Sequence, residues 1–175
     1  IPEKFLQKPL GKLIYVSMGS LGCVDVKLMN RLITILAKSP NRFIFSFGPR
    51  KNQFITLPDN IWGECFVPQV QVLPKVDLVI THGGNNTVTE TFSAGKPMLI
   101  MPLYTDQYDN AQRIEERGFG RRIDAYHFTS NEINAMIGQI LDDHEMRKRC
   151  ERARDRIHCS QSKIKLCERI EKLCL

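Results

Sequence analysis

An α/β fold, an open and mostly parallel sheet with helices on both faces (Rossmann-like), is what this sequence of 175 residues predicts. Short apolar runs of strand length alternate with stretches of helical spacing along the chain. Turn residues bound each run, as in DLVI (77–80) before THGG (81–84). The candidate ligand-binding side chains follow strand ends, which is where open α/β sheets bind.

The elements read in order as follows. Residues 1–12, with Pro2 and Pro9, show no clear periodicity and read as linker. KLIYVSMG (12–19) is a first strand, and GSLG (19–22) its tight exit loop, either a plain turn or a phosphate-facing one through Ser20. Leu28, Met29, Leu32, Ile33, Ile35 and Leu36 have helical spacing. RFIFSFG (42–48) is a second strand, followed by a polar loop in which Arg50 and Lys51 read as surface charge. IWGECF (61–66) is a short strand, and QVQVLPKV (69–76) a brief helix stopped by Pro74. DLVI is a buried parallel strand, Asn85, Asn86 and Thr87 open a helix, and MLIMP (98–102) is the next strand. YDNAQRIEERG (108–118) is a helix with Gly118 at its C-cap, and GRRID (120–124) the last strand. Thr129 and Glu132 form a capping box before the stripe Ile133, Met136, Ile137 and Ile140. Beyond it, Ile157, Ile164, Cys167, Ile170 and Cys174 keep a narrower apolar seam.

Residues 13–142 thus form the ligand-binding domain, and 143–175 a basic helical tail of that domain. From Glu145 onward ten Lys or Arg face five Asp or Glu, so the tail holds most of the net charge of +6. Its charge signs alternate without interleaved aromatics, which reads as a solvated or partner-facing helix and not as a nucleic-acid surface. The six cysteines include no CxxC and no metal spacing, so reduced, half-buried thiols are expected. No apolar stretch reaches the length of a membrane span, which favours a cytosolic protein, and the start at Ile1 reads as a cut near an interdomain linker. A G-x-G-x-x-G run is absent, which argues against a dehydrogenase.

Chemistry concentrates between residues 81 and 107. His82 precedes Gly83 and Gly84, where the backbone can turn or approach a ligand closely, and a helix then begins. Its unpaired first-turn N–H groups and dipole make an anion site. Asp106 and Gln107 follow the next strand and suit sugar hydroxyls.

From Phe66 to Gln107 the sequence resembles the donor-binding signature of the UDP-glycosyltransferases, most closely in arthropod members. The matches are Pro68-Gln69, Val72-Leu73, THGG, Asn86-Thr87, Glu90, Gly95, Pro97 and Asp106-Gln107, spaced over some forty residues. The resemblance implies the C-terminal, donor-binding half of a two-domain GT-B enzyme. By it, His82 contacts the β-phosphate, Asn86 and Thr87 the α-phosphate, Glu90 the ribose, and Asp106 with Gln107 the sugar. Val67 faces the uracil edge and Gln69 the ribose; Gly84, within THGG, and Ser20, if its loop faces the phosphates, are further donor-binding candidates. Phe66 stands where most members have a tryptophan stacked on uracil; Trp62 is the alternative stacking ring.

The family's catalytic base and acceptor site belong to the other half, so no catalytic residue is expected here, and His127, His144 and His158 are given no role. The implied reaction moves a sugar, glucose by preference, from a UDP-sugar to a small lipophilic hydroxyl with inversion, as in detoxification. No cofactor and no metal are expected, since His82 and helix N–H groups can neutralise the diphosphate. Two other readings stay open: a donor subunit of a split glycosyltransferase acting on lipid-linked sugars, and a non-catalytic nucleotide-sugar-binding module.

Overall fold

A computed structural model describes residues 1–7 and 11–173. Six parallel strands form one sheet in the order β3-β2-β1-β4-β5-β6. They are β1 (Leu13–Ser17), β2 (Arg42–Ser46), β3 (Ile61–Glu64), β4 (Leu78–Thr81), β5 (Met98–Ile100) and β6 (Gly120–Arg122). The chain runs outward from β1 to β3, returns beside β1 as β4, and then proceeds to the other edge. The order therefore reverses between β1 and β4, and a ligand crevice belongs at their C-terminal ends.

Side-chain alternation divides the interior into two cores. Ile14, Val16, Phe43, Phe45, Leu78, Ile80 and Leu99 face one side, against α3 (Val26–Leu36) and α7 (Ser130–Asp142). Leu13, Tyr15, Ile44, Val79, Met98 and Ile100 face the other, against α4 (Gln69–Val72), α5 (Asn85–Ala94) and α6 (Asp106–Glu116). Central strands covered on both faces carry no exposed position, which is why β1 and β4 are buried throughout. Asp25 caps α3 by accepting from the Leu28 N–H at 3.0 Å, and Thr129 with Glu132 forms the expected capping box on α7.

The elements depart from their sequence reading in several places. Within the stretch read as linker, Glu3–Leu6 forms a helical turn, α1, with Phe5 buried in the second core; Pro9 lies outside the described residues. Gly19–Gly22 is a helical turn, α2, rather than a loop. Pro74 does not stop the chain's winding. It sits early in a 3₁₀ turn, Leu73–Lys75, where its missing N–H is not needed. Helix α6 begins two residues before Tyr108, at Asp106, and Gly118 sits one residue past its C-cap with φ 68°.

The tail is also more integrated than its composition suggests. α8 (His144–His158) packs on α5, and its Met146 and Cys150 are buried in the first core. Burial pushes the Cys150 thiol up to about 12. α9 (Ser162–Leu173) leaves its apolar residues open: Ile164 and Ile170 are exposed, as is Ile157 at the end of α8, and Cys174 lies outside the described residues. Cys23 is buried like Cys150, whereas Cys65, Cys159 and Cys167 are exposed; all five are free thiols.

Candidate functional site

The ends of four strands line up: Ser46 pairs with Ser17, Ser17 with Thr81, and Thr81 with Ile100. Past this row the connecting loops part and leave a crevice of about 980 Å³. Its walls come from the loops after β1, β2, β3 and β4, the start of α5, and Asp106.

His82, the first residue past β4, is set by two glycines. A Cβ on Gly19 would lie 2.5 Å from the imidazole Nε2, and one on Gly84 2.4 Å from the same atom. The ring is thus clamped between the β1 and β4 exit loops, and only glycine leaves room for it. Gly19 also has φ 71°, a conformation that side chains rarely adopt. Burial holds the His82 pKa below its ordinary value, although a hydrogen bond with the Ser17 carbonyl and the charge of Asp106 pull the other way. The ring is therefore neutral at pH 7, with Nδ1 3.3 Å from the Thr81 hydroxyl.

Gly84 is the N-cap of α5, so no side chain caps the first turn of this ten-residue helix. A serine or aspartate cap would occupy those N–H groups; here they open on the crevice beside His82, with Asn85, Asn86 and Thr87 lining it. Thr87 is buried, and Gln69 ties it to Glu90: the Gln69 Nε2 lies 3.4 Å from the Thr87 hydroxyl and donates to Glu90 Oε2 at 2.7 Å. Glu90 keeps its second oxygen for another donor.

Beyond Gln69 the crevice meets Val67, buried, and Phe66, which is 81% exposed at the mouth. Trp62 lies outside the crevice, half-buried against the second core. Of the two aromatic candidates, Phe66 is the one beside the opening. Arg50 and Lys51 also stay outside: Arg50 donates to the Val24 carbonyl, and Lys51 pairs with Glu64 at 2.6 Å.

Asp106 and Gln107 separate. Asp106 reaches the crevice as the first residue of α6. Gln107 is 3% exposed and turns inward, its Oε1 accepting the N–H groups of Leu103 at 2.9 Å and Tyr104 at 3.3 Å. Of the two, Asp106 alone lines the crevice. Gln107 closes the loop before it. Ser20 is in the crevice wall.

Several wall residues carry no signal in the sequence reading. Tyr15, buried on β1, lines the crevice with Ser17 and Ser46; burial raises its pKa, and the two serine hydroxyls pull it down. Tyr15 and Ser17 look like core strand positions; the available clue was the hydroxyls at strand ends in YVS and RFIFS. Asn110 was also missed. Its Nδ2 donates to the Gly83 carbonyl at 2.9 Å and to Asn85 Oδ1 at 3.0 Å, joining α6 to the β4–α5 connection. Among the described residues, no group of three or more His, Cys, Asp or Glu side chains could hold a metal ion.

A parallel sheet with its crevice at the strand reversal, an uncapped helix start and a carboxylate beyond it define an α/β domain with a ligand crevice at its switch point. The family model described as "UDP-glucoronosyl and UDP-glucosyl transferase" matches residues 3–163, and the chain belongs to that family. It is 26% identical over 145 residues to an ecdysteroid UDP-glucosyltransferase of Spodoptera littoralis nuclear polyhedrosis virus, covering 80% of this chain and 28% of that protein. Human UDP-glucuronosyltransferase 2B28 is 28% identical over 145 residues, covering 81% and 27%. Among solved structures, the glycotransferase of kitacinnamycin superposes with a TM-score of 0.85 at 25% identity, covering 93% of this chain and 43% of that one. The chain therefore spans under a third of these two relatives and under half of that structure.

Proposed function

We propose that this chain is the donor-binding domain of a UDP-glycosyltransferase that moves a sugar, glucose by preference, from UDP to a hydroxyl of a small lipophilic acceptor with inversion, as in detoxification. The observation that carries it is the His82 imidazole clamped beside the uncapped start of α5. This pairs a titratable donor with preorganised N–H groups where a diphosphate would develop charge on leaving. The Ser17 carbonyl and Asp106 both favour a protonated His82, and a ring that gives one N–H to Ser17 would use the second for a phosphate oxygen. On this reading the diphosphate is met without a metal, by His82 and helix N–H groups.

Phe66 would cover the uracil face, Val67 its edge, and the Gln69–Glu90 pair the ribose hydroxyls. Asn86 and Thr87 hold the α-phosphate, and Asp106 reads the sugar. The base that activates the acceptor belongs to another part of the protein, and this chain alone would not turn over. The exposed seam of α9 supports a further element of the reading, that this helix packs on that other part.

Calorimetric titration of the chain with UDP, UDP-glucose, UDP-glucuronate and ADP tests the proposal, repeated with His82→Ala. UDP and its sugars should bind and ADP should not, with affinity falling about tenfold in the variant, the equivalent of about 1.4 kcal/mol. Absence of binding by every ligand, or equal binding of ADP, would defeat it.

A further inference from the structure

Among the described residues, Thr105 is the one non-glycine position with positive φ, at φ 51° and ψ −131°. A β-branched residue there is a genuine outlier, and such strain persists only where its surroundings hold it. Two restraints do so. The Gln107 side-chain oxygen, Oε1, takes the N–H groups of Leu103 and Tyr104, closing the loop just ahead of Thr105. Helix α6 starts directly after it, with the Tyr108 N–H donating to the Thr105 carbonyl at 3.3 Å.

The strained residue abuts the one carboxylate that α6 presents to the crevice. Its hydroxyl donates to Asp106 Oδ1 at 2.9 Å, and Asn110 Nδ2 lies 3.4 Å from Asp106 Oδ2. Asn110 is itself tied to the Gly83 carbonyl and to Asn85, so the carboxylate is referenced to the loop that starts α5. Glycine would adopt this backbone conformation without cost but offers no hydroxyl. A strained threonine makes physical sense where the hydroxyl is the useful part.

We propose that Thr105 is a positioning residue for donor-sugar recognition: it orients the Asp106 carboxylate toward the hydroxyls of the sugar on a nucleoside diphosphate. This rests on the donor-site reading above. Thr105 touches no substrate itself, and its effect falls on the sugar and not on the nucleotide.

The experiment compares the parent chain with Thr105→Gly and Thr105→Ser, measuring Tm and calorimetric affinities for UDP and UDP-glucose. Thr105→Gly should raise Tm by about 2–4 °C as strain is relieved. It should also weaken UDP-glucose about fivefold, the size of one hydrogen bond to a charged group, with UDP changed less than about twofold. Thr105→Ser, which keeps the hydroxyl, should restore UDP-glucose binding to within about twofold of the parent. An unchanged ratio of UDP-glucose to UDP affinity in Thr105→Gly, or a serine variant as weak as the glycine one, would overturn the proposal. Failure of the parent chain to bind UDP would instead remove the donor-site reading, and this role with it.

Discussion

At the N-terminal ends of the strands, Asn60 is buried and its amide gathers the carbonyls of Leu36, Ser39 and Asn41 at 2.9–3.2 Å. Asp77 accepts the Leu13 N–H and Asn41 the Lys12 N–H, while Arg42 holds the carbonyls of Phe5 and Leu6. At the C-terminal ends the same kinds of residue are arranged differently. His82 stands between glycines, the start of α5 has no side-chain cap, and one Glu90 oxygen is held by Gln69 while the carboxylate faces open space. One end spends its polar groups on the chain's own backbone; the other converges them on a crevice. Residue type alone does not separate structure from function; near-saturation by the chain's own backbone does, with the buried Arg42 Nε the one unpartnered buried side-chain atom among the described residues.

Breaking the saturated end should cost the most stability. Asn60→Ala removes the amide from three carbonyls, of which that of Leu36 keeps the Ser39 N–H, a loss of about 3 kcal/mol. Tm should fall by roughly 10 °C for a chain of this size. UDP binding below the transition should stay as it was. A shift under about 2 °C would show that these bonds contribute no more than water would.

Breaking the open end should do the reverse. Gly84 has φ −67° and ψ 144°, which alanine can adopt, yet its Cβ would fall 2.4 Å from His82 Nε2. Gly84→Ala should therefore leave Tm within about 2 °C and lower UDP affinity about tenfold, as the ring is driven from its clamp. Full affinity in this variant would show that the imidazole position is irrelevant to binding.

The contrast also explains what was legible beforehand. Strand–helix alternation and the 81–107 stretch announced the fold and the crevice, because apolar runs and a Gly-Gly helix start are local patterns. Tyr15 and Asn110 were not legible: their roles come from strands and loops far apart in sequence. The orientation of Gln107 is not legible for the opposite reason, since nothing local says whether an amide turns outward or closes its own loop. The integration of α8 was hidden by its charge, as only Met146 and Cys150 enter the core.

A smaller effect tests the charge at the open end. Burial keeps the His82 pKa below 6.5 in the folded chain, so as pH falls below 6.5 the unfolded chain takes up the proton first. Folding stability from this group is thus complete above pH 6.5 and declines below it until the folded ring titrates. A bound diphosphate favours the protonated ring, so UDP affinity should rise a few-fold, about threefold, between pH 7.5 and 6, with proton uptake. His82→Ala should flatten that dependence. A parent profile already flat would mean that the imidazole does not meet the phosphates.

The last prediction bears on the base. Phe66 is 81% exposed, so Phe66→Ala should not move Tm, yet loss of a stacking face should cost UDP about fivefold in affinity. Phe66→Trp should gain about twofold to threefold, because the larger face covers more of the pyrimidine. Trp62, the single tryptophan, provides a built-in control. It is half-buried against the second core and away from the crevice wall, so its emission should not respond to UDP. Quenching of Trp62 by UDP, together with an unaffected Phe66→Ala variant, would move the base from the open rim to the packed side. The division between a saturated structural end and a convergent binding end would then need redrawing at β3, where the two rings lie four residues apart.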